Sequence, residues 1–354
     1  MQFKKDLMSS TERIQTLFRY EKPDRVPINM ITAGFVCKNI GRGVADAYGD
    51  PETYFDAFLW TAEQYGWDLN PQNCPHTVLG APDFGGDVRL PTGEFEGAIV
   101  ITSYPVQSEK DVEKLELPDP TTSDRLLKDM TLSRLQHEYG LPVTFVSRSP
   151  LTLAANTCGL EKFLRWTVKR PDLCHRLMTR AIDHTFNVMA NWAGAFGPEN
   201  MIVFMSSPSE SNQVMSPRHF EKLALPFHME YHKRLASLGI KRFWFHICGD
   251  QNLNLPALAD ICPWPHPSIL SFGHEVDLKD TAKHFPQDII YGNVEPAVIQ
   301  MGTPQQVYEL TRSVIDKGKR IPGGFILSAG CELPPFAPSA NVFAMTKAVN
   351  DFGW

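Results

Sequence analysis

The chain has 354 residues, with 34 Lys and Arg against 40 Asp and Glu, a net charge of −6. That mildly acidic balance argues against nucleic acid or an anionic membrane as the main partner, since both favour basic surfaces. Hydrophobic residues make up 43% and charged residues 21%, which excludes a disordered chain; at this length one large barrel or two domains bury about three quarters of the unfolded surface.

The first twenty residues are charged throughout and lack the apolar core of a signal peptide. No apolar run of about 18 residues occurs, so no membrane-spanning helix is expected. Seven cysteines, at positions 37, 74, 158, 174, 248, 262 and 331, form an odd, scattered set. In a large chain without a leader this suggests reduced thiols in the cytoplasm, some of them available as ligands.

In chain order, residues 1–24 read as an N-terminal helical extension and the first sixty residues as mostly helix, interrupted by a short strand at Arg25–Met30. A second strand is expected near Trp67–Asn73. Residues 86–107 combine a Pro-Thr-Gly turn signal with a β-branched run and predict a hairpin insertion; 108–124 reads as a polar surface connection. From there β-rich runs recur at Pro142–Ser147, Met201–Ser206, Lys241–Cys248, Ser268–Phe272, Asp288–Asn293 and Gly324–Ser328. Helical signals separate them. Thr303, Pro304 and Gln306 give a capped helix start, followed by Val307, Leu310, Val314 and Ile315 at helical spacing up to Gly318. Ser216-Pro217 opens another helix, in which Pro226 predicts a kink. Eight strands alternating with helices fit an α/β fold, doubly wound or barrel. No G-x-G-x-x-G follows a strand, and eight units favour a (β/α)8 TIM barrel forming a single domain over 1–354, with the hairpin near its mouth.

Reactive groups of such barrels gather where strands end. His246 and Cys248 stand two apart at one strand end and so share a face, and Cys331 ends the last strand. One imidazole and two thiolates suit zinc, with a fourth position left open. Each of the three is also of a type that serves as ordinary core, so the residues alone leave both readings open.

The sequence resembles the uroporphyrinogen decarboxylase superfamily, and within it the zinc-dependent methyltransferases that act with corrinoid proteins. The likeness rests on RSPLTLAANTCG (148–159), SNQVMSPRHFEKLALP (211–226), FHICGD (245–250), IYGNVEP (290–296), GTPQQVYELTRSVI (302–315) and SAGCELPPFAPSANVFAM (328–345). It implies a (β/α)8 barrel and zinc held by His246, Cys248 and Cys331. It also implies a methyl group passed between a small molecule and the cobalt of a corrinoid (cobalamin). Since no Asp-x-His-x-x-Gly motif is present, that corrinoid is expected on a separate partner protein. The decarboxylases themselves carry an arginine-rich segment after the first strand to hold a polycarboxylate tetrapyrrole; Asn29–Phe35 contains no arginine, which disfavours that alternative.

Further roles are expected for several residues. Glu210 is a candidate fourth ligand or catalytic group and Asn293 a second catalytic candidate; Glu332 is a candidate for hydrogen bonding around the ligands. Arg148, Met205 and Trp244 are candidate substrate contacts, although Trp244 also reads as barrel filling, and Asp250 is expected to cap the next helix. Met205, Met215, Phe35 and Trp264 suggest an apolar pocket and hence a methoxylated aromatic donor, that is O-demethylation, in preference to a small thiol acceptor. A non-catalytic barrel with a closed structural zinc is the remaining alternative.

Overall fold

The computed structural model describes residues 4–68, 78–261 and 264–354. Most of the strand expected at Trp67–Asn73 lies outside these residues, as do Cys74 and Cys262. Strands β1 (Asp87–Arg89) and β2 (Val100–Ser103) pair antiparallel, as the hairpin signal predicts. The next segment is not a plain connection, because it holds a helix, Glu109–Lys114, whose start is fixed by the Asp111 carboxylate accepting from the Ser108 N–H and hydroxyl. The spacing Ser108-x-x-Asp111 is a capping signal in its own right.

Strands β3 (Val143–Arg148), β4 (Met201–Ser206), β5 (Phe243–Ile247), β6 (Ile269–Phe272), β7 (Ile289–Val294) and β8 (Phe325–Ala329) form one parallel sheet in chain order. Each lies within two residues of its expected run, because strands buried on both faces read as continuous apolar, β-branched stretches. Beyond β8 the wall continues. Asn29 N–H donates to the Leu327 carbonyl and Leu327 N–H to that of Pro27, and Asp68 N–H donates to the Ile28 carbonyl. Inward side chains from around the wall, Ile31, Leu79, Val146, Phe204, Trp244, Ile269, Tyr291 and Ile326 among them, meet in one buried cluster. The architecture is a (β/α)8 TIM barrel.

The N-terminal helix Ser10–Phe18 closes the base of the barrel, with Leu17 inside the interior cluster and Ile14 and Phe18 against it. Arg13, 1% exposed, ties this plug to the wall through Asp24 (2.7 Å) and Asp68 (2.6 Å). A guanidinium buried so completely is tolerated because carboxylates compensate its charge. The capping box at Thr303 and Gln306 starts the helix Pro304–Gly318 as expected. Pro226 falls just after a π-helical stretch, Phe220–Ala224; the wider turn accommodates a residue that offers no N–H to the helix. Among the described residues no helix is long and apolar enough to cross a membrane.

Candidate metal centre

Alternation along the strands decides what faces the barrel interior. On β4 and β5, Phe204 and Trp244 are register partners pointing inward, and two residues on, at the mouth end, Ser206 partners His246. The same row continues to Arg148 on β3 and Ser271 on β6, since Arg148 pairs with Ser206 and His246 with Ser271. An apolar layer is therefore capped by a polar one, Arg148–Ser206–His246–Ser271, spread over four adjacent strands. All four are buried.

Cys248 continues the inward parity of His246 one step past β5, and Cys331 follows β8. Their donor atoms and those of His246 all lie within 4.8 Å of one another, and the two sulfurs are 3.7 Å apart. Two thiolates on a tetrahedral zinc stand about 3.8 Å apart for zinc–sulfur bonds of about 2.3 Å. The His246 Nδ1 is 2.8 Å from the Ser271 hydroxyl, while the buried Nε2 has no hydrogen-bond partner. A ring that donates from Nδ1 to Ser271 keeps a lone pair on Nε2, the arrangement usual for metal-ligating histidines. The donor set thus fits zinc on three counts: spacing, softness and an orphaned buried nitrogen. The loop bearing Cys331 comes close because residue 330 is glycine; a Cβ there would meet the His274 backbone nitrogen at 2.8 Å.

The two thiols differ in how tightly each holds its proton. The hydrogen bond from Cys331, helped by the Arg148 charge, holds Cys248 below the ordinary thiol range. The same hydrogen bond, with burial, pushes Cys331 up to about 12. Burial brings Arg148 down to about 10, opposed by the nearby sulfurs and Glu332. Burial also raises Glu332 to about 7.

Not every expected residue reaches this centre. Among the described residues His246, Cys248 and Cys331 form the only group of three or more His, Cys, Asp or Glu side chains placed to share an ion, and Glu210 is not in it. The short turn Pro208–Glu210 sends the Glu210 carboxylate outward to His228 Nε2, 2.5 Å away on the helix Leu225–Ala236. Met205 stands on the opposite parity from Ser206 and packs in the outer cluster between strands and helices, with Met215, Phe35 and Trp264; the expected apolar pocket is therefore helix–sheet packing. Trp244 faces inward one layer below His246, edge-on to Phe204 and 4.8 Å from Tyr291, and lines a small cavity against the plug helix. It is barrel filling rather than a mouth residue.

Asn293 donates both amide hydrogens to backbone carbonyls, of Gly273 at 3.1 Å and Val276 at 2.8 Å, and so pins the loop after β6. The Glu332 carboxylate accepts from the Ala33 N–H rather than from a ligand. Asp250 accepts from Asn252 N–H in a turn and does not cap the helix Leu255–Ile261. Arg148 does stand at the centre. Ser206 and Ser271, polar positions at inward parity within MIVFMS and SILSF, are the site residues that strand alternation would have revealed.

The chain is 23% identical over 341 residues to a methylcobamide:CoM methyltransferase, MtaA, of Methanosarcina barkeri, covering 93% of this chain and 94% of that protein. It is 26% identical over 221 residues to a methylated-thiol–coenzyme M methyltransferase of Methanosarcina mazei, covering 62% and 55%. A solved structure of a methyltransferase from Methanosarcina mazei superposes with a TM-score of 0.79 at 21% identity, over 98% of this chain and 99% of the other, which supports the barrel. The model of the family described as uroporphyrinogen decarboxylase (URO-D) matches residues 9–352, so with its barrel and the residues gathered at its mouth the chain belongs to the uroporphyrinogen decarboxylase family.

Proposed function

We propose that this chain is a zinc-dependent methyltransferase that moves a methyl group between the cobalt of a corrinoid on a separate protein and the sulfur of a small thiol. The observation that carries the reading is the unpartnered His246 Nε2 beside two sulfurs 3.7 Å apart at the barrel mouth. The names of the relatives support a thiol: one pairs methylcobamide with coenzyme M, the other a methylated thiol with coenzyme M. When bound, zinc supplies a Lewis-acid centre with an open position that favours the thiolate form of a ligand sulfur.

The chain's own residues do the rest. Ser271 holds the His246 ring, Cys248 and Cys331 supply the charge that retains the ion, and Arg148 meets the incoming anion. With the methylated corrinoid as substrate, the thiolate sulfur held there would take the methyl group, and the electron pair of the broken carbon–cobalt bond would stay on cobalt. The methoxyarene direction ranks second, because the apolar residues that favoured it face the helices. The decarboxylase alternative would ask Arg148 to serve many carboxylates. A closed structural zinc would need Glu210, which His228 holds. We place the enzyme in the cytoplasm, where its thiols stay reduced.

The test combines elemental analysis with a spectroscopic assay. Purified protein should hold one zinc per chain and demethylate methylcobalamin in the presence of small thiols. Zinc without thiol-dependent demethylation, but with methylation of reduced corrinoid by methoxyarenes, would reverse the direction; no bound metal would overturn the reading.

A further inference from the structure

The centre has a charge problem that the fold answers. A divalent ion held by two thiolates and a neutral imidazole sums to zero (+2 − 2). A substrate that binds as a thiolate brings an uncompensated negative charge into a layer where His246 is 4% and Arg148 5% exposed. An unpaired anion in such a place is costly. We propose that Arg148 is the counter-ion of the reacting sulfur, so that the site selects a ligand by its thiolate rather than by an anionic tail. This rests on the thiol reading above.

Three observations support it. Arg148 is the last residue of β3 and lies in the row that contains His246, two strands away. Strands about 4.8 Å apart set the two backbones about 10 Å from each other, a gap the inward-pointing Arg side chain spans in part. Its Nη1 is hydrogen-bonded to the hydroxyl of Ser206, the residue between them, which fixes the guanidinium at the depth of the ligand layer instead of above it. A residue placed to grip a sulfonate or carboxylate tail would stand further from the sulfur, towards solvent. The neighbouring anion, Glu332, accepts from the Ala33 N–H at the head of the helix Gly34–Asn39 and stands outside the set of donor groups, so its carboxylate does not take the place of the sulfur. Arg148 is thus a positioning and specificity residue for the sulfur.

The test uses cobalt(II)-substituted full-length protein, in which thiol binding is read from the sulfur-to-metal charge-transfer absorbance. The probes are 2-mercaptoethanol, with a neutral tail, and 2-mercaptoethanesulfonate, with an anionic one. Wild type should bind the two within about threefold of each other. Arg148→Met, with metal content unchanged, should weaken both by a similar factor of about 30 or more, and Arg148→Lys should recover part of the loss for both. A wild-type preference for the sulfonate above about tenfold overturns the proposal and needs no variant. A loss in Arg148→Met confined to the sulfonate, or no loss at all, also overturns it. If metal-loaded wild type bound neither thiol, the thiol reading itself would fall, an outcome distinct from the others.

Discussion

Ser271→Ala removes one hydroxyl from a fully buried position and leaves the three donors intact, so it isolates how much the centre depends on the orientation of its imidazole. The hydroxyl lies 2.8 Å from His246 Nδ1 and Ser271 is 0% exposed, so no bulk water replaces it. Without it the ring loses its anchor and the tautomer with a free Nε2 loses its preference. Partners of this kind contribute about 10- to 100-fold to metal affinity, equivalent to about 1.4–2.8 kcal/mol. Zinc affinity should be measured by competition with a chromophoric chelator, with Ser271→Thr, which keeps the hydroxyl, as the control expected near wild type. Thermal melts of the metal-free proteins separate a folding defect from a binding one, since a lost buried hydrogen bond costs only about 1 kcal/mol. An affinity for Ser271→Ala within twofold of wild type would refute the argument that this hydrogen bond orients the ligand.

Cys331→Ala should abolish stoichiometric zinc by elemental analysis while leaving the barrel's circular dichroism intact, because the residue follows β8 and lies outside the interior cluster. Glu210→Ala should do the reverse: zinc stays at one per chain, while the buried His228 Nε2, left without its hydrogen-bond partner, lowers stability by about 1–3 kcal/mol in denaturant titrations; loss of the metal would show that Glu210 is a ligand after all. His232 has partners for neither ring nitrogen, and burial, reinforced by His228, depresses its pKa to about 3. The unfolded chain takes up that proton near 6.5, so it binds more protons between these values and stability falls as pH drops from about 6.5 towards 3. Metal-free His232→Phe should therefore lose less melting temperature than wild type between pH 7 and pH 5. Finally, iodoacetamide should modify the partly exposed Cys248 and Cys331 of metal-free protein before the buried Cys37, Cys158 and Cys174, and zinc should abolish that difference by protecting the pair, as peptide mass spectrometry would show.

The strands were legible because each is an apolar, β-branched run with glycine or proline nearby, and the candidate ligands were legible because His246-x-Cys248 falls where such a run stops. What the sequence obscured were directions rather than elements. Met205 and Ser206 are neighbours, yet one faces the helices and the other the buried polar layer, and only the parity set by Phe204 separates them. Glu210 follows a strand end as a ligand would, but the turn begun by Pro208 commits its side chain to His228, a partner eighteen residues along the chain. Ser271 shows in the sequence only as a polar residue at an inward position of an apolar run; what pairs it with His246 is the register between the two strands. Phe35 and Trp264 resemble pocket residues in composition, but aromatic rings of this size are taken by the largest apolar volume available, which here lies outside the strands.

The helix that stoppers the base leaves the mouth as the doorway to the polar layer among the described residues. On the proposed reading a small thiol and a bulky methyl carrier would both use it, so the order of arrival would be imposed by size: whichever is larger shuts the other in or out. Turnover should then run as a queue, with the thiol seated before the carrier docks and the methylated product released only after the carrier departs. Preloading the carrier should stall the enzyme instead of speeding it.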